Sequence, residues 1–212
     1  WMPHQMKMLD LEKQGLTMDP GDLYKPDGTG LMSAVVDLGG GTGSFVSGKG
    51  LIFTNHHVAF GALQRASDPE HNYIEDGFLA NKFEEEIQAP GYTAGVLLSY
   101  KNVTKKITSE LKKSMAPMEQ YKLVDMIKKK LIKEAESKGP DLFAEIGTMY
   151  AGNEYYLFIY KKIRDVRIVY APPRDIGNFG GDIDNWMWPR HTGDFTFLRA
   201  YVSPEGEGVE YS

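Results

Sequence analysis

Two adjacent histidines, His56 and His57, close the run Leu51-Ile-Phe-Thr-Asn-His-His-Val58. Imidazole is the side chain best suited to move protons near neutral pH, and it is also a common metal ligand. The β-branched and bulky residues before the pair read as a strand. Neighbours on a strand point to opposite faces, whereas a zinc pair takes i, i+2 on a strand or i, i+4 on a helix. The pair is therefore not expected to hold one metal ion. One histidine should do chemistry, and the other should pack or bond locally. The chain has no cysteine, which removes thiol catalysis, disulfides and cysteine-based zinc sites.

A histidine that works as a base needs a carboxylate on its other ring nitrogen, to hold the tautomer and to stabilise the imidazolium. Asp194 stands at the mouth of the apolar run Phe195-Thr-Phe-Leu-Arg-Ala-Tyr201. Taken alone, Asp194 reads as a turn residue at a strand entry; only the histidine hairpin upstream sets a catalytic reading against that one. Asp182 and Asp184 resemble the opening of a calcium loop. The third ligand position is Trp186, however, and the turn glycine is missing, so no metal site is expected there. Gly43-Ser-Phe-Val-Ser-Gly-Lys-Gly50 is close to a phosphate-binding loop, but it ends in Gly50 instead of Ser or Thr, and no helix pattern follows. Neither cofactor nor metal is expected, and Lys49 reads as a solvated turn residue.

These residues must be positioned by a β-rich frame. Strand patterns cover Met32–Leu38, Thr42–Val46, Gly50–Asn55, Tyr92–Tyr100, Glu154–Lys161, Val166–Tyr170 and Asp194–Val202. The glycines of Ser47-Gly-Lys-Gly50 suit a hairpin. Gln5–Gln14 is a short amphipathic segment, and residues 68 to 93 are polar and loop-rich. From Thr104 to Lys138 apolar residues recur every three or four positions, which predicts helix. Pro117 should break it at Ala116, and Gly139-Pro140 should end it. This segment is rich in lysine, but acidic residues interleave, as on a solvated helix face.

At 212 residues and 42% hydrophobic content the chain can bury a core. A net charge of −5 argues against a general nucleic-acid or membrane-surface binder, and no apolar run is long enough to span a bilayer. Ser203–Ser212 reads as a turn entering a strand, and the first residue is Trp1. The expectation is a piece of a longer protein.

Gly-Ser-Phe-Val-Ser, a glycine turn and Leu-Ile-Phe-Thr-Asn-His-His-Val resemble the hairpin that opens trypsin-like and Deg/HtrA-type serine proteases. By that resemblance the second histidine, His57, is the general base, and His56 packs. The run Gly180-Gly-Asp-Ile-Asp-Asn-Trp-Met-Trp-Pro-Arg-His-Thr-Gly-Asp-Phe195, together with the histidine hairpin, resembles the bacterial dipeptidyl-peptidase 7 and 11 family of serine exopeptidases. The likeness covers nearly the whole chain. It implies a mainly β, chymotrypsin-like fold. Residues 1–212 would be the N-terminal part of the peptidase domain, its first barrel carrying a helical insertion at about 104–138. A second barrel and a large helical domain would lie beyond the chain.

The resemblance also implies catalytic roles for His57 and Asp194. Asn185 and Trp186 would grip the substrate's terminal ammonium and close the cleft, while Trp188 reads as a core residue. The substrates would be peptides with a free N-terminus. The place would be the periplasm or cell surface of a Gram-negative bacterium, and the full-length enzyme would be a homodimer. The nucleophile departs from the pattern, because no Gly-[Asn/Asp]-Ser-Gly turn follows Asp194 and Ser44 precedes the histidine. The fragment alone is therefore expected to be inactive. Two other readings stand beside this one. A Deg/HtrA-like endopeptidase would cleave blocked or internal peptides. A non-catalytic peptide-binding barrel would lack a serine turn downstream.

Overall fold

The computed structural model describes residues 2–25, 29–112, 114–177 and 193–203. The helices are α1 (Pro20–Leu23), α2 (His56–Ala66), α3 (Thr104–Thr108), α4 (Pro117–Glu136) and α5 (Arg174–Gly177). The strands are β1 (Val35–Asp37), β2 (Thr42–Phe45), β3 (Leu51–Thr54), β4 (Phe78–Leu79), β5 (Ile87–Gln88), β6 (Ala94–Asn102), β7 (Leu142–Met149), β8 (Glu154–Ile163), β9 (Asp165–Ala171) and β10 (Thr196–Tyr201). The chain is thus mainly antiparallel β with a few helices. It divides into two compact units, Trp1–Ser33 with Leu97–Lys162, and Ala34–Val96 with Ile163–Ser212.

In the second unit the strands run β4-β9-β10-β3-β2-β1, β1 pairs with the opening residues Gly95 and Val96 of β6, and β5 shares the β4 edge of β9. The β2–β3 hairpin turns at Gly50, whose φ of 72° lies in the left-handed region that only glycine adopts without strain. A Cβ at Gly50 would also stand 2.4 Å from the Ala200 carbonyl oxygen. Ile52, Leu198, Ile168 and Val166 point inward with Val36, Leu38, Ala59, Ala62 and Leu63 to form one core. Strand alternation is strict here: Ile52 and Thr54 are buried while Phe53 between them is exposed. Buried together with partners, such side chains contribute about 1.5–3 kcal/mol each.

In the first unit β7 and β8 pair in unbroken register from Leu142↔Lys161 to Met149↔Glu154. Helix α4 lays Ile127, Leu131 and Ala135, spaced by four, against Ala144 and Leu157. Pro117 opens this helix: it takes the first helical position, where its missing N–H costs nothing, and Glu119 accepts a bond from the Ala116 N–H at 3.1 Å.

Several local expectations change. The first predicted helix shrinks to Thr104–Thr108, and Leu111 and Met115 are half-buried outside any helix. Thr108 and Thr104 bond locally there, a competitor to helix continuation. Strand β7 was not anticipated, although Leu142, Ala144 and Ile146 alternate as a half-buried strand should. The amphipathic N-terminal segment is a 3-10 turn over Pro3–Met8, and Leu31–Ala34 is a second one, which leaves β1 shorter than the pattern suggested. The loop-rich stretch holds the two-residue strands β4 and β5. Among the described residues no helix is long and apolar enough to cross a membrane.

Candidate active site

The largest correction falls on the histidines. They do not end a strand; they are the first two residues of α2. The helical signal is present in Ala59, Ala62 and Leu63, which are buried at helical spacing, but the strand pattern before them masks it. The histidines still face different partners. His56 is 2% exposed. Its Nδ1 lies 3.2 Å from the hydroxyl of buried Thr196, and its ring meets Phe60 edge-on at 6.2 Å. Burial pulls the His56 pKa below 6.5, against the opposing charge of Asp194 and with help from His57. His56 is therefore a neutral, packed residue.

Strand register delivers the acid. β10 runs antiparallel to β3 with Thr196 opposite Thr54. Two steps outward from that pair lie Asp194 on one chain and the β3–α2 corner on the other. The Asp194 carboxylate sits there with Oδ2 2.7 Å from His57 Nδ1, and its Oδ1 accepts the His57 backbone N–H at 3.1 Å. That amide is one of the free donors at the start of α2, so the carboxylate also caps the helix and sits at its positive end. Asn55 adds a third donor, its Nδ2 lying 3.1 Å from Oδ2 and 3.2 Å from the Asp194 carbonyl oxygen.

Burial opposes ionisation of Asp194. The His57 backbone and side-chain bonds, the His57 charge and Asn55 outweigh it and hold the carboxyl below 3.8. An anionic Asp194 can only accept, so His57 Nδ1 must carry a proton, and in the neutral ring it is then Nε2 that holds the lone pair. The His57 side chain is 72% exposed and that of Asp194 32%. Among the described residues nothing bonds to Nε2. The arrangement can take a proton from a group brought to Nε2 and hold the resulting cation.

Asn185 and Trp186 fall in residues 178–192, outside the described residues, as do Asp182, Asp184 and Trp188. Their flanks are placed: the Gly193 N–H donates to the Ile176 carbonyl at 2.9 Å. A Cβ on Gly177 would stand 2.7 Å from the His56 ring, so that position is closed to larger residues. Ser44 lies on β2, where its hydroxyl bonds to the Phe45 carbonyl at 3.4 Å. Asn55 is the residue that sequence reasoning missed; its only signal was its place beside the histidines.

The family model of Peptidase S46 matches residues 1–212. The chain belongs to peptidase family S46. Its relatives include dipeptidyl-peptidase 7 of Porphyromonas endodontalis, 40% identical over all of this chain and 26% of that protein. Another is the Asp/Glu-specific dipeptidyl-peptidase of Shewanella putrefaciens, 41% identical over all of this chain and 29% of its own length. A crystal structure of Porphyromonas endodontalis DPP11 in complex with substrate superposes on the whole chain with a TM-score of 0.88, at 36% identity, over 32% of that chain. This S46 chain thus spans about a quarter to a third of the relatives it matches. They come from Gram-negative bacteria.

Proposed function

We propose that this chain is the histidine- and aspartate-bearing part of a serine-type dipeptidyl-peptidase that releases dipeptides from free peptide N-termini. The observation that carries the reading is the 2.7 Å bond between anionic Asp194 and His57 Nδ1, with Nε2 unbonded among the described residues, in a member of peptidase family S46. His57 acts as general base. Its Nε2 takes the proton from a serine hydroxyl as that oxygen attacks the scissile carbonyl, then gives it to the leaving amine. Asp194 keeps the ring in the required tautomer and stabilises its cation. The serine stands in a Gly-[Asn/Asp]-Ser-Gly turn further along the full-length protein.

In this reading Asn185 offers its carbonyl oxygen to the substrate ammonium, and the Trp186 indole blocks extension beyond two residues. The unit of Ala34–Val96 with Ile163–Ser212 is the first barrel of a chymotrypsin-like pair, and the helices near 104–138 belong to an insertion. The barrel reading is supported by a core shared between β1 and β9, which stand far apart in the strand order. The outward face beside Asp194 carries Phe53, Tyr170, Phe195 and Phe197 with ring centroids 5.4–6.3 Å apart. Phe53 is 44% exposed, a surface that further chain would cover. The enzyme works in the periplasm or at the cell surface, as a homodimer.

The test uses the full-length protein and matched peptides, one with a free amine and one acetylated. Release of dipeptides from the free peptide alone supports the proposal; equal cleavage of both would make the enzyme an endopeptidase.

A further inference from the structure

We infer that Asn55 is a positioning residue that clamps the Asp194 carboxylate, fixing through it the orientation of the His57 imidazole; the inference rests on the functional reading above. Asn55 occupies the N-cap position of α2 with extended backbone, φ −73° and ψ 147°. An asparagine there ordinarily turns its side-chain oxygen back to accept from an amide of the first turn. This one does not, because its side chain makes no cap bond. The His57 amide, which such a cap would serve, is taken by Asp194 Oδ1 at 3.1 Å instead.

The Asn55 amide group is turned across the corner. Its Nδ2 reaches both Asp194 Oδ2 at 3.1 Å and the Asp194 carbonyl oxygen at 3.2 Å. Both partners are acceptors, so only the nitrogen can face them, and the amide orientation is fixed by chemistry. The same Oδ2 accepts from His57 Nδ1 at 2.7 Å. Rotation of the carboxylate would break the Asn55 and His57 bonds together. One short side chain therefore holds both the main chain and the carboxylate of the residue that orients the ring. Among the described residues, the titratable groups that act on this carboxylate are His57 and His56, both on α2.

The sign of the electrostatic effect follows. Removing the Asn55 donor leaves Asp194 more basic, so it stabilises the His57 cation more strongly. The acid limb of kcat/KM, which reports the free enzyme's base, moves to higher pH. An aspartate at this place adds a like charge and moves it further, by about one pH unit.

The experiment compares full-length wild type, Asn55→Ala and the nearly isosteric Asn55→Asp, recording dipeptide release from a free-amine peptide across pH together with the melting temperature. The expected result is a kcat lower by about three- to tenfold in Asn55→Ala, from the loss of the bond to the Asp194 carboxylate, with KM little changed. The acid limb should rise in the order wild type, Ala, Asp. An acid limb that stays put in both variants overturns the clamp, whatever the loss of rate, because a merely structural residue would lower stability or active fraction without moving it. If Asn55→Ala does not fold, the acid limb of Asn55→Asp decides alone. A wild type that releases no dipeptide overturns the functional reading, and this inference with it.

Discussion

Strand β10 joins two polar clusters of opposite character. At its start, Asp194 meets an imidazole that is 72% exposed, and among the described residues one ring nitrogen has no bond. At its end, Arg199 and Tyr201 enter a network around Glu86 and, among the described residues, no buried side-chain nitrogen or oxygen lacks a partner. Glu86, its side chain 3% exposed, accepts Arg199 Nε at 2.9 Å and the Tyr201 hydroxyl at 2.7 Å. Arg199 Nη1 donates to the Lys49 carbonyl at 2.8 Å, and its guanidinium lies 4.7 Å from the Phe83 ring centroid. Beside it, Asp165 takes Arg167 through both oxygens, at 2.9 and 2.7 Å, and Arg167 covers the Tyr201 ring at 4.2 Å. Carboxylates do both jobs. Where the carboxylates are buried and held by neighbouring strands, the cluster ties those strands together. Where one nitrogen faces outward, the cluster can act on something else.

Four perturbations sharpen that contrast. His57→Ala or Asp194→Ala in the full-length enzyme should each lower dipeptide release by about a thousandfold or more, with the melting temperature nearly unchanged. Steady-state rates and a thermal melt on the same samples check this. Arg199→Ala should do the reverse. It strands the buried Glu86 charge and costs about 3–5 kcal/mol of stability, read by denaturant unfolding.

The third change is at His56. Its neutral form is favoured in the folded state, so the unfolded chain binds more protons below pH 6.5. Stability should therefore fall as pH drops from 6.5, and His56→Gln should flatten that slope in melts taken between pH 7 and 5. The smallest effect is expected at Tyr201. Burial first, then the Glu86 bond and charge, push its hydroxyl up to about 12, against Arg167 and Arg199. Its contribution is complete below pH 10 and is lost as pH rises toward 12. Tyr201→Phe should cost about 1 kcal/mol at neutral pH and remove that alkaline loss.

The sequence made the strands legible where one face is buried and the other wet, as in Leu51–Thr54 and Thr196–Tyr201. It pointed to His57 and Asp194 only through the resemblance to a protease hairpin, because a lone histidine beside apolar residues and a carboxylate at a strand entry each have an ordinary structural reading. It hid α2, since Asn55-His56-His57 continues an apolar run and the helical period becomes visible only from Ala59 onward. It hid β7 even though Gly139-Pro140 ends the helix, because Phe143 breaks the apolar–polar alternation and Gly147 weakens the strand signal. Asn55 was illegible for a different reason. Its partner is set by β3–β10 register, a long-range fact that no local window contains. The same holds for Glu86, whose partner cation, Arg199, lies far along the chain.

The most direct test of the central claim is a double-mutant cycle on His57 and Asp194 in the full-length enzyme, measuring kcat/KM for a free-amine peptide. Residues that act as one unit are far from additive. If the pair is the proton-transferring device, His57→Ala combined with Asp194→Ala should be no slower than His57→Ala alone. If the two losses multiply, or if either single variant keeps wild-type activity, the pair does not work as a unit and this account of the site is wrong.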